Sequence, residues 1–179
     1  MALPDYFKAE LGTAVIWGEA GASGVTKTLS LDALASGSAR MGAVADLGAQ
    51  MEDEYLVILI IETGTAPTMS GTYDLYLACT DAQSRYPGGV SGSDGAWPSD
   101  GDEDQWTRQL GAPVAQLIVT NDGNVIQMQN PVLWRPTGRY VVPVVDNNTD
   151  QAVRDEATAT DNDSRVILVP RRLLIQDAA

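Results

Sequence analysis

The run Tyr55–Ile61, YLVILII, constrains this chain more than any other stretch. Seven consecutive apolar residues rich in Val and Ile are too few for a buried helix of ordinary length and suit a strand covered on both faces. The segment after it, Glu62–Gly71, holds Gly64, Pro67, Ser70 and Gly71, residues that let a backbone turn. Beyond the turn Tyr73, Leu75 and Leu77 alternate with Asp74, Tyr76 and Ala78, the period of a second strand. The pattern predicts a hairpin over 55–80. A single hairpin is marginal in water, so the rest of the chain must cover it.

Shorter strands are expected at Thr13–Trp17, Thr26–Leu31, Ala115–Thr120, Val125–Gln129, Val132–Trp134, Arg139–Val145 and Ser164–Val169. Asn121-Asp122-Gly123-Asn124 signals a tight hairpin, and Pro136-Thr137-Gly138 a further turn. Pro143 argues for an edge strand or a bulge, and Pro170 for an interruption before Arg171. Asp32 is placed to cap one helical turn over 33–36 that Gly37 ends. Roughly eight to ten short strands with almost no helical periodicity indicate an all-β chain, an antiparallel β-sandwich or jelly roll. No repeat of ~20–50 residues is present, which argues against a solenoid or propeller. The 179 residues divide into an N-terminal arm, 1–12, and a single sandwich domain, 13–179, carrying a long loop at 81–111. The arm either docks on a neighbouring subunit, through Tyr6 and Phe7, or frays.

A net charge of −13 with two lysines, Lys8 and Lys27, repels phosphate backbones and anionic lipid, so neither nucleic acid nor membrane is expected as a partner. No basic segment followed by an apolar one opens the chain, and no apolar run approaches ~20 residues, so neither Sec secretion nor membrane spanning is expected. Histidine is absent, which removes Ser-His triads, Cys–His dyads and most zinc sites. Cys79 stands alone at a strand end, as a small buried hydrophobe or a reactive thiol.

Four groups of residues could carry function. Asp100, Asp102 and Asp104 set carboxylates at alternate positions, as calcium sites do, but the EF-hand glycine and glutamate are missing, so a solvated loop competes with calcium. Paired acids for glycoside hydrolysis carry no specificity among 24 Asp and Glu. Trp97 and Trp106 flank the acidic loop and Tyr86 precedes it; these aromatics either anchor the loop to the sheet or face a protein or sugar partner. Arg171 and Arg172, like Arg135 with Arg139, are the basic clusters of an acidic chain, either solvated or paired with acids of a neighbour.

Several stretches together resemble a family of structural proteins from the virions of tailed bacteriophages. They are TKTLSLDALASGSAR at 26–40, YLVILIIETGTAPTMSGTYDLYLACT at 55–80, YPGGVSGSDGAW at 86–97, GRYVVPVVDNNT at 138–149 and RVILVP at 165–170. The resemblance implies a head decoration, or cement, protein. Such a protein is made in the host cytoplasm and sits on the outer capsid surface, commonly as a homotrimer. There it reinforces contacts between major capsid subunits. The family offers no catalytic residues to carry over, and no enzyme activity or cofactor is expected. The acidic insert at Asp100–Asp104 and the stretch 148–163 fall outside the resemblance. The alternatives are a tail, baseplate or fibre module and a carbohydrate-binding sandwich.

Overall fold

Alternating side chains along the longest strands set the layers of this molecule. A computed structural model describes residues 6–97, 108–158 and 160–176, with side chains from Ala9 to Arg172 within those stretches. Its strands are β1 (Tyr6–Leu11), β2 (Val15–Gly18), β3 (Lys27–Thr28), β4 (Ser38–Met41), β5 (Ala45–Asp46), β6 (Glu54–Glu62), β7 (Thr72–Thr80), β8 (Gly95–Trp97), β9 (Ala115–Ile118), β10 (Ile126–Met128), β11 (Val132–Trp134), β12 (Tyr140–Asn148) and β13 (Arg165–Gln176). They form two sheets. Sheet I runs β10-β6-β13-β2-β3, with β1 on β13 and β11 on β6; sheet II runs β8-β4-β12-β7-β9, with β5 on β12. Every pairing is antiparallel apart from β2 with β3. The chain is an all-β sandwich.

Tyr55, Val57, Leu59 and Ile61 of β6 face Tyr73, Leu75 and Leu77 of β7 in the main core, together with Trp17, Val141, Val145, Val166 and Leu168. Sheet II is covered on part of its outer side too, over β4, β7 and β12. There Tyr76, Ala78, Val142 and Val144 pack under Tyr86, Val90 and Trp97 from the segment that follows β7. Loop 81–111 therefore supplies an extra layer over sheet II with its described part.

The expected hairpins are sheet crossings. β6 lies in sheet I and β7 in sheet II, and likewise β9 lies in sheet II and β10 in sheet I. The reason is burial: β6 and β7 each carry a continuous inward apolar face, and the two faces bury each other across a core about 10 Å thick. The two crossings run side by side. Thr63 N–H donates to Val125 O at 3.0 Å and Ser70 N–H to Val119 O at 3.0 Å. Gln127 closes the second crossing: its Oε1 accepts from Thr120 N–H at 2.9 Å and its Nε2–H donates to Asn121 O at 3.0 Å. The Asn121-Asp122-Gly123 signal does make a turn, with Gly123 N–H donating to Asn121 Oδ1 at 2.7 Å, but the turn joins two sheets.

Both strand prolines sit in central strands, and β13 continues through Pro170 without interruption. Each faces a break in its neighbour. β4 and β5 pair with one edge of β12 on either side of Pro143, with an extra residue between them; β1 and β2 do the same on either side of Pro170. Proline has no N–H to give at that bulge, so none is lost. At each bulge a glycine N–H, from Gly42 or Gly12, donates to the proline carbonyl at 2.9 Å. A side chain on Gly42 would meet Pro143 Cγ at 3.0 Å. The bulge foreseen at Pro143 is thus in the partner strand, and the edge-strand reading is excluded. Residues 33–36 form no helical turn, because Ala33 has φ +52° and the Asp32 carboxylate accepts from Glu156 N–H at 2.9 Å.

Candidate interaction surface

The alternation that buries one face of β6 sends Leu56, Ile58 and Ile60 to the other. Strand register carries these residues across sheet I in rows. Ile58 lies opposite Ile167, and Ile167 opposite Ile16. Leu133, Leu56 and Val169 make the next row. On the other side Met128 stands opposite Ile60, and Ile60 opposite Arg165. Members on β2, β6 and β13 are half-buried by their row neighbours, while Leu133 is 45%, Ile126 51% and Met128 61% exposed. None of the described residues covers this face. The Tyr55–Ile61 run predicts cover on both faces of the strand, and the described residues supply it on one.

Ion pairs bound the face at both ends. At one end Arg171 stands opposite Glu54. Glu54 accepts from Arg171 Nη1 at 3.1 Å and from Arg135 Nη2 at 2.7 Å, and Arg172 Nη2 donates to Glu52 at 2.7 Å. Hydrogen bonds that they donate to Glu54 and Glu52 hold Arg135 and Arg172 above the usual guanidinium value. At the other end Arg165 Nη2 reaches Asp163 at 2.9 Å, and Arg154 pairs with Glu62 and Glu156. A cleft of about 530 Å³ opens at the Glu54 end, between 51–54, Arg135, Pro136, Arg171 and Arg172. Its three arginines are matched by Glu52, Asp53 and Glu54, so little charge is left over to draw in a small ion.

From this end a ribbon leaves the sheet. Past Arg171, β13 pairs with β1 alone among the described strands, in a register that sets Phe7 opposite Ile175 and Tyr6 opposite Gln176. The Tyr6–Leu11 stretch of the expected arm is therefore a strand on its own chain's β13, whose side chains around Tyr6 and Phe7 lie outside the description. The ribbon is about 20 Å long at the usual strand rise.

The other expected site residues scatter. Trp97 is 2% exposed, its indole N–H donates to Gly88 O, and its ring lies 6.5 Å from that of Tyr76. It anchors the long loop and offers no surface to a partner. Tyr86 is half-buried against the same layer, with its hydroxyl donating to Gln83 O. Arg171 and Arg172, expected to be either solvated or paired with a neighbour's acids, pair with Glu54 and Glu52 of their own chain. Trp106, Asp100, Asp102 and Asp104 lie outside the described residues, among which no group of three or more His, Cys, Asp or Glu is placed to hold a metal ion. The nearby Asp94 is half-buried; burial pushes its carboxyl up, but bonds from Arg40 at 2.6 Å and Ser30 N–H at 3.0 Å outweigh this and hold it below the usual range. Burial likewise pushes the Cys79 thiol up, away from reactivity.

Sequence reasoning missed Leu56, Ile58, Ile60, Met128, Leu133 and Ile167 as a surface. The signal was the unbroken run itself, whose alternate members no described residue covers from outside the sheet. No protein-family model, curated protein sequence or solved structure matches the chain.

Proposed function

We propose that the chain is a structural virion protein, a decoration subunit that binds the outer surface of a tailed-phage head and stabilises contacts between major capsid subunits. The observation that carries this reading is the open aliphatic face of sheet I, on a sandwich whose inner faces bury each other and whose sheet II hides its outer apolar side chains on β4, β7 and β12 under a covering layer. A large apolar surface rimmed by polar groups suits burial against another protein. Small-molecule sites are concave, and the cleft beside this face is wide and neutralised by its own ion pairs. The sequence resemblance supplies the head as the place of assembly. Net acidity suits a subunit made in high copy number, because it keeps the free protein soluble before assembly. The sugar-binding alternative loses Trp97, which is buried.

The test is co-sedimentation of the purified protein with heads of the phage that encodes it, prepared without this protein. Saturable binding that raises the heat resistance of the heads supports the proposal. Heads that neither bind it nor gain stability refute it.

A further inference from the structure

We infer that the open face of sheet I is covered in solution by the same face of a second copy of this chain, packed across a twofold axis. This rests on the face being an assembly surface, not on the particle being a virion: the free protein keeps the face in the copy contact and exchanges that contact for the head on assembly. The extent fits: the aliphatic rows run across β10, β11, β6, β13 and β2, nearly the width of sheet I, and with its rim such a face is of the order that a standard interface takes up, about 800 Å² per partner. The layout fits as well, with pure aliphatic rows at the centre and ion-paired groups at both ends, the arrangement of a dry core inside a polar rim.

Charge selects the occupant. At −13 this chain repels its own copies over most of its surface. The open face is the exception, because its centre is uncharged and its Glu54 end sets Glu52, Asp53 and Glu54 against Arg135, Arg171 and Arg172. A basic partner would find the Glu54 carboxylate already holding two guanidinium groups, and an acidic partner would find the described arginines of this rim already matched. A second copy turned by 180° brings an equal mix of acids and bases to the same rim, which is self-complementary. The two outer faces would then pack as sheets do inside one chain, about 10 Å apart. The contact joins two copies, in place of the three that the resemblance implies.

The experiment is sedimentation velocity of the full chain over a concentration series, with Leu133→Lys and Met128→Lys beside the parent. Both side chains are already largely exposed in the single chain, so each lysine leaves the fold intact, as matching thermal melts will verify. The parent is expected at twice the 19.0 kDa chain mass. Each lysine buries an unpaired charge in the contact and weakens the dimer about 100-fold. Met69→Lys, the same change at a similarly exposed site in the β6–β7 crossing, leaves it unaltered. A monomeric parent, a species of three chain masses, or a dimer that survives both face variants overturns the inference. Head binding is scored separately: binding by a monomeric parent overturns the copy contact and keeps the decoration role, while a dimer that ignores heads does the reverse.

Discussion

Asn147 is fully buried near the end of β12, and replacing it with aspartate tests how its amide holds two loops to sheet II. Its Nδ2–H group donates to Leu34 O at 3.0 Å, Ala35 O at 3.2 Å and Gln151 O at 2.9 Å. Its Oδ1 accepts from Thr149 N–H at 3.0 Å and from the Thr149 hydroxyl at 2.7 Å. Aspartate keeps the shape and the Oδ1 contacts but turns the donor into a second oxygen facing three carbonyls. An unsatisfied buried polar group costs about 1–3 kcal/mol, and an unpaired buried charge about 3–5 kcal/mol. At neutral pH Asn147→Asp should therefore lose about 3–5 kcal/mol, a large part of a domain's total stability of roughly 5–15 kcal/mol. Protonation returns one donor. The folded-state pKa of this aspartate must lie above its unfolded value of about 3.9, so the folded state binds the proton more tightly. Relative to the parent, the variant is then least impaired below about pH 4 and loses stability as pH rises from there through its folded pKa. Urea denaturation of parent and variant at about pH 4 and about pH 7 measures both numbers. A deficit below about 1 kcal/mol at pH 7, or one that does not shrink in acid, refutes the reasoning.

Other sites give sharper local tests. The hydrogen bond from Arg139, with help from Gly48 N–H, lowers the Asp46 carboxyl to about 2. Its favourable contribution is present above the ordinary carboxylate value and lost as pH falls through about 2, and an NMR titration of Arg139→Gln should show the midpoint moving back up. A methyl group on Gly138 would lie 2.5 Å from the Thr80 carbonyl carbon, so Gly138→Ala should lower stability by about 1–3 kcal/mol in urea unfolding. Trp97→Ala removes the anchor of the outer layer on sheet II and should cost about 3–5 kcal/mol, with amide exchange rising first in residues 81–97. Cys79 should react slowly with a thiol reagent at neutral pH and quickly once the chain is unfolded.

Element types were legible where one physical requirement acted alone. Tyr55–Ile61 and Tyr73–Leu77 read as strands because an apolar run and a period of two leave few other choices, and the structure extends them to β6 and β7. Their pairing was not legible. A turn rich in Gly, Pro and Asn is equally good for reversing within a sheet or crossing between two, and what decides is which inward faces bury each other. That is why both Glu62–Gly71 and Asn121–Asn124 read as hairpins and fold as crossings. Pro143 and Pro170 misled for a related reason: the lost N–H was read against the proline's own strand, whereas a bulge in the neighbour absorbs it. As for the surface, Arg171 and Arg172 were visible as a basic pair, but Glu54 and Glu52, far away in sequence, reach them through the register of β6 and β13. The aliphatic face was hidden in plain sight within the run expected to be covered twice.

The central claim is that another protein chain buries the outer face of sheet I, and methionine oxidation tests it most directly. Met128 lies on that face and Met69 lies in the β6–β7 crossing away from it, and the two are 61% and 57% exposed in the single chain. Side chains so alike should oxidise at similar rates wherever both meet solvent. The account predicts that peroxide treatment at assembly concentration, read by peptide mass spectrometry, leaves Met128 protected while Met69 reacts, and that dilution abolishes the difference. Equal rates for the two methionines at every concentration, with and without heads, would contradict it.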